Sequence, residues 1–126
     1  MNTVVYSPAA PEPIGPYSQA VLAGNTLFAS GQIAIERNSG NLITANIEDE
    51  TKQVMTNLSN VLAAAGMRFR DVVKCTIFLK DMNNFPKVNA IYGQYFTETP
   101  PARETVEVSR LPKDVNVEIS CIAVKS

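Results

Sequence analysis

The chain has 126 residues, a hydrophobic fraction of 45%, a charged fraction of 18% and a formal net charge of −1, which suits one domain with a real core. It contains no histidine, which excludes Ser-His-Asp and Cys-His catalytic arrangements and every histidine-ligated metal site. The lysines and arginines are scattered along the chain instead of forming the basic face of a nucleic-acid binder, and two cysteines, Cys75 and Cys121, are too few for a disulfide framework.

Both cysteines sit among apolar strand residues and read as small buried hydrophobes. The charged fraction is low for a soluble domain, which points to surface covered by a partner. The opening MNTVVYSPAAPEPIGPYS has no positive n-region or apolar h-region, and no apolar run is long enough for a membrane span, so a cytoplasmic protein is expected.

In chain order, Thr3 to Tyr6 is a short strand candidate. Ser7 to Ser18 holds four prolines and a glycine and reads as a stiff irregular loop, fit to be the wall of a site. Gln19 to Ala23 and Thr26 to Ile35 form a hairpin about Gly24-Asn25, with Ser30-Gly31 marking a bulge or a close approach in its second arm. Asn46 to Gly66 is the clearest helix. Val54, Met55, Leu58, Val61, Leu62 and Ala65 make one stripe, acidic residues fill the first turn, and Gly66 ends it.

Asp71 to Lys80 alternates as a strand, with Val73, Cys75, Ile77 and Leu79 assigned to one side. Asn83 to Phe96 returns to helical spacing through Phe85, Val88, Ile91, Tyr92, Tyr95 and Phe96, with Asn84 as cap and Pro86 in the first turn. Thr99 to Cys121 closes the chain as a hairpin about Pro112-Lys113. The expected architecture is α+β, a single mostly antiparallel sheet with both helices on one face. The other face, carrying Phe28, Thr76 and Phe78, is left underdressed and predicts oligomerisation.

In that closing hairpin Arg103 and Glu118 both project from the polar side, away from the helices, offset by four positions, or roughly 13 Å of strand. They read either as a solvated salt bridge or as two groups bracketing a small substrate or a water. Arginine offers a planar fork matched to a carboxylate. Without histidine, carboxylates, tyrosine, lysine and water must do any acid-base work.

The stretches IGPYSQA, ASGQI, PARETVEV and LPKDVNVEISCIAV, in this order and spacing, resemble the signature segments of the RidA (YjgF) family. The resemblance implies a chorismate-mutase-like subunit and a homotrimer whose sheets face inward around a central barrel, with sites in the clefts between subunits. It implies cofactor-free and metal-free hydrolysis of 2-aminoacrylate-type enamines and imines to 2-oxo acids and ammonia. Carried over to this chain, Arg103 grips the substrate carboxylate, Glu118 positions the attacking water and Tyr17 stands at the cleft. Ser30 and Gly31 line the pocket, and Asn89 lies near it on the second helix. Thr105 stands where many members carry cysteine, so an oxidisable thiol is lost there.

Two other functions stay open at this level. One is a non-catalytic, 2-oxo-acid-binding or chaperone-like trimer. The other is an endoribonuclease that inhibits translation, against which the near-neutral charge and the missing histidine weigh.

Overall fold

The computed structural model describes residues 2–126. Six strands, β1 (Asn2–Val5), β2 (Ala20–Ala23), β3 (Thr26–Gln32), β4 (Val72–Leu79), β5 (Ala102–Glu107) and β6 (Val117–Val124), are joined with two helices, α1 (Ile47–Ala64) and α2 (Phe85–Gly93). They form one sheet in the order β1-β2-β3-β6-β4-β5. All neighbours are antiparallel except β4 and β5, which run parallel and are connected through α2. This is the expected α+β class.

The closing segment is not a hairpin. β6 lies between β3 and β4, and β5 lies at the sheet edge on the far side of β4. The residues explain the exchange. Val117, Ile119, Cys121 and Ala123 are all buried on one side of β6, so this strand needs the central place beneath a helix. β5 carries polar residues on both faces and remains largely exposed, which suits an edge.

α1 begins where Asn46 Oδ1 accepts the Asp49 N–H at 2.8 Å, with Glu48, Asp49 and Glu50 in the favourable first turn. It ends at Gly66, whose φ of 72° permits the paired closing bonds of Met67 N to Leu62 O and Gly66 N to Ala63 O. α2 departs from expectation at both ends. Asn84 makes no capping bond; Asp81 caps a short 3₁₀ turn just before the helix, accepting from Asn83 N. Tyr95 and Phe96 lie beyond the helix and pack their rings against Phe69.

Both helices cover one face of the sheet. The core holds Val54, Met55, Leu58, Val61 and Leu62 of α1 against Leu27, Ile77, Leu79, Ile119 and Ala123. Cys75 and Cys121 are free, buried and directly opposite each other. Val73, expected beside Cys75, is instead exposed at a register shift in β4. The opposite face of the sheet carries no α-helix; Ile33, Leu111 and Val115 form a small second cluster against its Phe78, and the rest is open. Val4, Val21, Phe28 and Ile122 stand in one cross-strand row, and Glu118, Phe78 and Val106 in another. Phe28 is 50% and Val106 41% exposed. None of the described helices is long and apolar enough to cross a membrane.

Because Leu58 is sealed in the core, Leu58→Ala should cost about 3 kcal/mol of stability. Urea unfolding followed by circular dichroism checks this; a loss under about 1 kcal/mol would mean that the helix–sheet interface collapses around the gap.

Candidate active site

The seven residues singled out from the sequence fall into two groups. The first is built on α2 and β5. Phe85, Asn89 and Tyr92 recur at helical spacing and present one face of α2 to the sheet edge. Arg103 lies in register with Cys75, which is buried on the helix side, so its side chain runs beneath α2. Its guanidinium carbon stands 5.4 Å from the centre of the Phe85 ring and 5.1 Å from that of Tyr92, within cation–π range. Arg103 Nη1 donates to Asn89 Oδ1 at 2.7 Å. Among the described residues no carboxylate lies within ion-pair distance of Arg103. The fork is thus held on one side and open on the other.

Asn89 therefore orients the arginine. Thr105 follows two residues along the same face, and its buried hydroxyl has no hydrogen-bond partner. The Tyr92 hydroxyl is likewise buried and unpartnered. Burial first, then the neighbouring Cys75 thiol, raise the Tyr92 pKa, which keeps the phenol neutral beside Arg103.

The second group lies on β3, β6 and the proline-rich loop. Between Ala29 and Gln32 β3 takes three steps while β6, from Cys121 to Ile119, takes two. This is the bulge that Ser30-Gly31 signalled. It brings Gly31 against Glu118 so closely that a Cβ on residue 31 would lie 2.5 Å from Glu118 Oε2 and 2.9 Å from its Cγ. Glycine is needed here for approach, not for its backbone angles. Ser30 Oγ donates to Ser18 O at 2.7 Å, tying the bulge to the loop that carries Tyr17. Tyr17 is half exposed, and with Gln19, Gly31, Gln32 and Ile33 it lines a cleft of ≈ 20 Å³, room for about one water.

Gln19, which the sequence did not mark, fixes this loop. Its amide accepts from Ser7 N and donates to the carbonyls of Ser7 and Pro11. Glu118 is half-buried, and its pKa is raised by desolvation with no neighbouring charge to offset it.

The two groups do not meet within one chain. Arg103 sits opposite Cys75 and Glu118 opposite Phe78, on strands flanking β4. Two strand spacings and three residues of rise separate their Cα atoms by about 14 Å. Their side chains also leave opposite faces of the sheet, since Cys75 is buried under the helices while Phe78 faces the open side. The expectation that both project away from the helices is corrected for Arg103. It rested on pairing β5 with β6; inserting β4 between them reverses the face of β5. A roomier surface cavity of ≈ 280 Å³, between Phe69, Tyr95 and Phe96, contains none of the seven residues. Among the described residues no cluster of three Cys, Asp or Glu side chains could hold a metal ion.

The endoribonuclease L-PSP family model, that of the RidA (YjgF) proteins, matches residues 7–125. The chain belongs to this family. A RutC family protein of Pyrococcus horikoshii is 53% identical over 125 residues, covering 99% of both chains. A 2-iminobutanoate/2-iminopropanoate deaminase of Bos taurus is 45% identical over 125 residues, covering 99% of this chain and 91% of its own. Escherichia coli TdcF, solved with bound serine, superposes with a TM-score of 0.94 at 39% identity, covering 98% of this chain and 99% of its own.

In this RidA-family chain burial also governs the thiols. It raises the pKa of both cysteines, with Cys121 pushed up to about 12, so neither is a reactive nucleophile.

Two outcomes test the second group. Gly31→Ala should leave the melting temperature nearly unchanged, because a flexible side chain can move aside, yet displace the Glu118 carboxylate in a crystal structure. An unmoved carboxylate would refute the contact. For Glu118 itself the linkage sign is unfavourable, because its folded pKa lies above its unfolded one. Its ionisation therefore destabilises the fold as pH rises from the ordinary carboxyl range through the raised value. Glu118→Gln should melt higher than the parent at pH 7, and the difference should vanish below about pH 4. An equal or lower melting temperature at pH 7 would show that the carboxylate is not desolvated.

Proposed function

We propose that this chain hydrolyses 2-imino acids, formed from 2-aminoacrylate-type enamines, to 2-oxo acids and ammonia, in clefts completed by a second copy. The deaminase names of relatives 45% identical to it support this reading. The observation that carries it is the division of the site. An oriented but unpaired arginine fork and a desolvated carboxylate lie on opposite faces of one sheet, so one small acid can touch both only if two copies share it. The open sheet face, with Phe28, Phe78, Val106 and Ile122, is the apolar surface through which copies would pack. We take the assembly to be a trimer, in keeping with the family.

The chemistry needs little more. Arg103 binds the substrate carboxylate in two-point contact, which fixes the imine carbon beside a water and replaces a random encounter by a positioned one. Glu118, with its raised pKa, accepts a proton as the water oxygen bonds to that carbon. With the imine nitrogen protonated from solvent, this addition gives a tetrahedral 2-amino-2-hydroxy acid; the carboxyl returns its proton to nitrogen, the C–N bond breaks, and the hydroxyl proton passes to the freed carboxylate, leaving the 2-oxo acid and ammonia. Ser30, Gly31 and Tyr17 wall the water side; Asn89 and Thr105 stand beside the arginine. The imine is itself prone to hydrolysis, so the protein supplies placement and a base without a nucleophile of its own. A ribonuclease reading draws no support from a net charge of −1.

The test is hydrolysis of 2-iminopropionate, generated in the assay, against the buffer rate. Arg103→Ala should lower kcat/KM at least about a hundredfold while keeping the oligomer. The parent kcat should rise with pH through the raised Glu118 pKa and then level. Near-parental turnover in Arg103→Ala would remove the carboxylate-anchor role. A parent that binds pyruvate but never exceeds the buffer rate would be a binding module and no enzyme.

A further inference from the structure

We propose that Glu50 and Asn57, on the covered face of α1, are positioning residues that set the Gly31–Glu118 contact from the far side of the sheet. This rests on the reading of Glu118 as the water-activating base. Both residues are sealed from solvent, at 0% and 1% exposure, in a mostly apolar face with Val54, Met55, Leu58, Val61 and Leu62, whose other buried polar residue, Thr51, is satisfied within the helix by Ile47 O. A carboxylate so buried persists only if its oxygens are satisfied. Those of Glu50 are held by a single residue. Oε2 accepts from Asn116 N and Oε1 from Asn116 Nδ2, each at 2.7 Å. The Asn116 carbonyl in turn accepts from Lys80 N. Asn116 is therefore held on three sides just before β6 begins, two residues ahead of Glu118.

Asn57, two turns along the same helix, does the matching work on the segment just past the end of β3. Its Nδ2 donates to Ile33 O at 2.9 Å and Ile35 O at 3.0 Å, and its Oδ1 accepts from Gln53 Nε2 at 2.9 Å. Ile33 lies two residues beyond Gly31. One rigid helix thus grips each site strand two residues from the point where the strands touch. A slip of either strand would move the Glu118 carboxylate off Gly31 and admit water beside it. Neither anchor contacts the carboxylate, and neither would touch a substrate.

Within its own chain the groups facing Glu118 are Gly31 of β3 and Phe78 of β4, which carry no charge, and in the proposed assembly the one charge brought to the cleft, Arg103 of the second copy, is the same in parent and variants. A change in its titration therefore reports its exposure. The experiment follows the Glu118 carboxyl by carbon-13 NMR against pH, with imine hydrolysis as a second readout. In Glu50→Gln one amide N–H would face the Asn116 donors. In the double variant Glu50→Gln with Asn116→Asp, the new amide oxygen still accepts the backbone N–H and its NH₂ donates to the new carboxylate.

Glu50→Gln should bring the titration midpoint down towards the ordinary glutamate value and lower kcat about tenfold with KM within about twofold. The double variant should restore both. An unmoved midpoint in folded Glu50→Gln overturns the proposal. If Glu50→Gln does not fold, the double variant decides. Parental midpoint and turnover support the proposal, while parental stability with a displaced midpoint overturns it. Failure of the double variant to fold also overturns it, because the swap keeps every hydrogen bond invoked. A midpoint that moves as expected, in a protein that never hydrolyses imines, would sink the catalytic reading and leave the clamp standing.

Discussion

The carboxylate of Glu118 rests on the backbone of Gly31, with no charge from its own chain to stabilise it. That contact needs a strand carrying Glu118 beside the bulged strand carrying Gly31, and so needs β6 in the middle of the sheet. β6 goes there because its four inward residues must be covered by α1. The hydrophobic alternation that builds the core thus also delivers the acid to the open face. The ionised acid works against folding in its half-buried place, and stability comes from the packed interface behind it.

The same insertion sends β5 to the edge and turns Arg103 under α2. There the fork has an aromatic floor of Phe85 and Tyr92 and one neutral hydrogen bond to Asn89. A carboxylate partner from its own chain would have filled the fork; a neutral one orients it and leaves its charge for a ligand. In the proposed reading the chain therefore offers two half-sites, an anion grip on the covered face and a base on the open face. Closed rings of identical subunits join unlike surfaces of neighbouring copies, which is the geometry such half-sites need.

Much of this was legible in the residues. Strand alternation located the sheet elements, and helical spacing with acidic first-turn residues and Gly66 located α1. Glycine inside an alternating strand located the bulge. Strand order was not legible, because a polar turn such as Leu111-Pro112-Lys113-Asp114 looks the same whether its flanking strands pair or part. The error carried over to the site, because the face on which Arg103 lies depends on its neighbour and not on its own alternation. Phe85 and Tyr92 read as core stripe, which they are; that they also floor an arginine needed the third dimension. A lone Asn89 inside that stripe was the one available hint. Glu50 and Asn57 were hidden by their company, one among acidic first-turn residues and one among polar helix residues that usually face water.

The central claim is that Arg103 of one copy works with Glu118 of another. Complementation tests it most directly. Arg103→Ala and Glu118→Gln chains, each inactive alone, are co-refolded in equal amounts and assayed for 2-iminopropionate hydrolysis. Random assembly gives about a quarter of the clefts both native groups, so about a quarter of the parental activity should return. If mixed oligomers form, as native mass spectrometry would show, and no activity above that of the separate variants appears, the shared site does not exist.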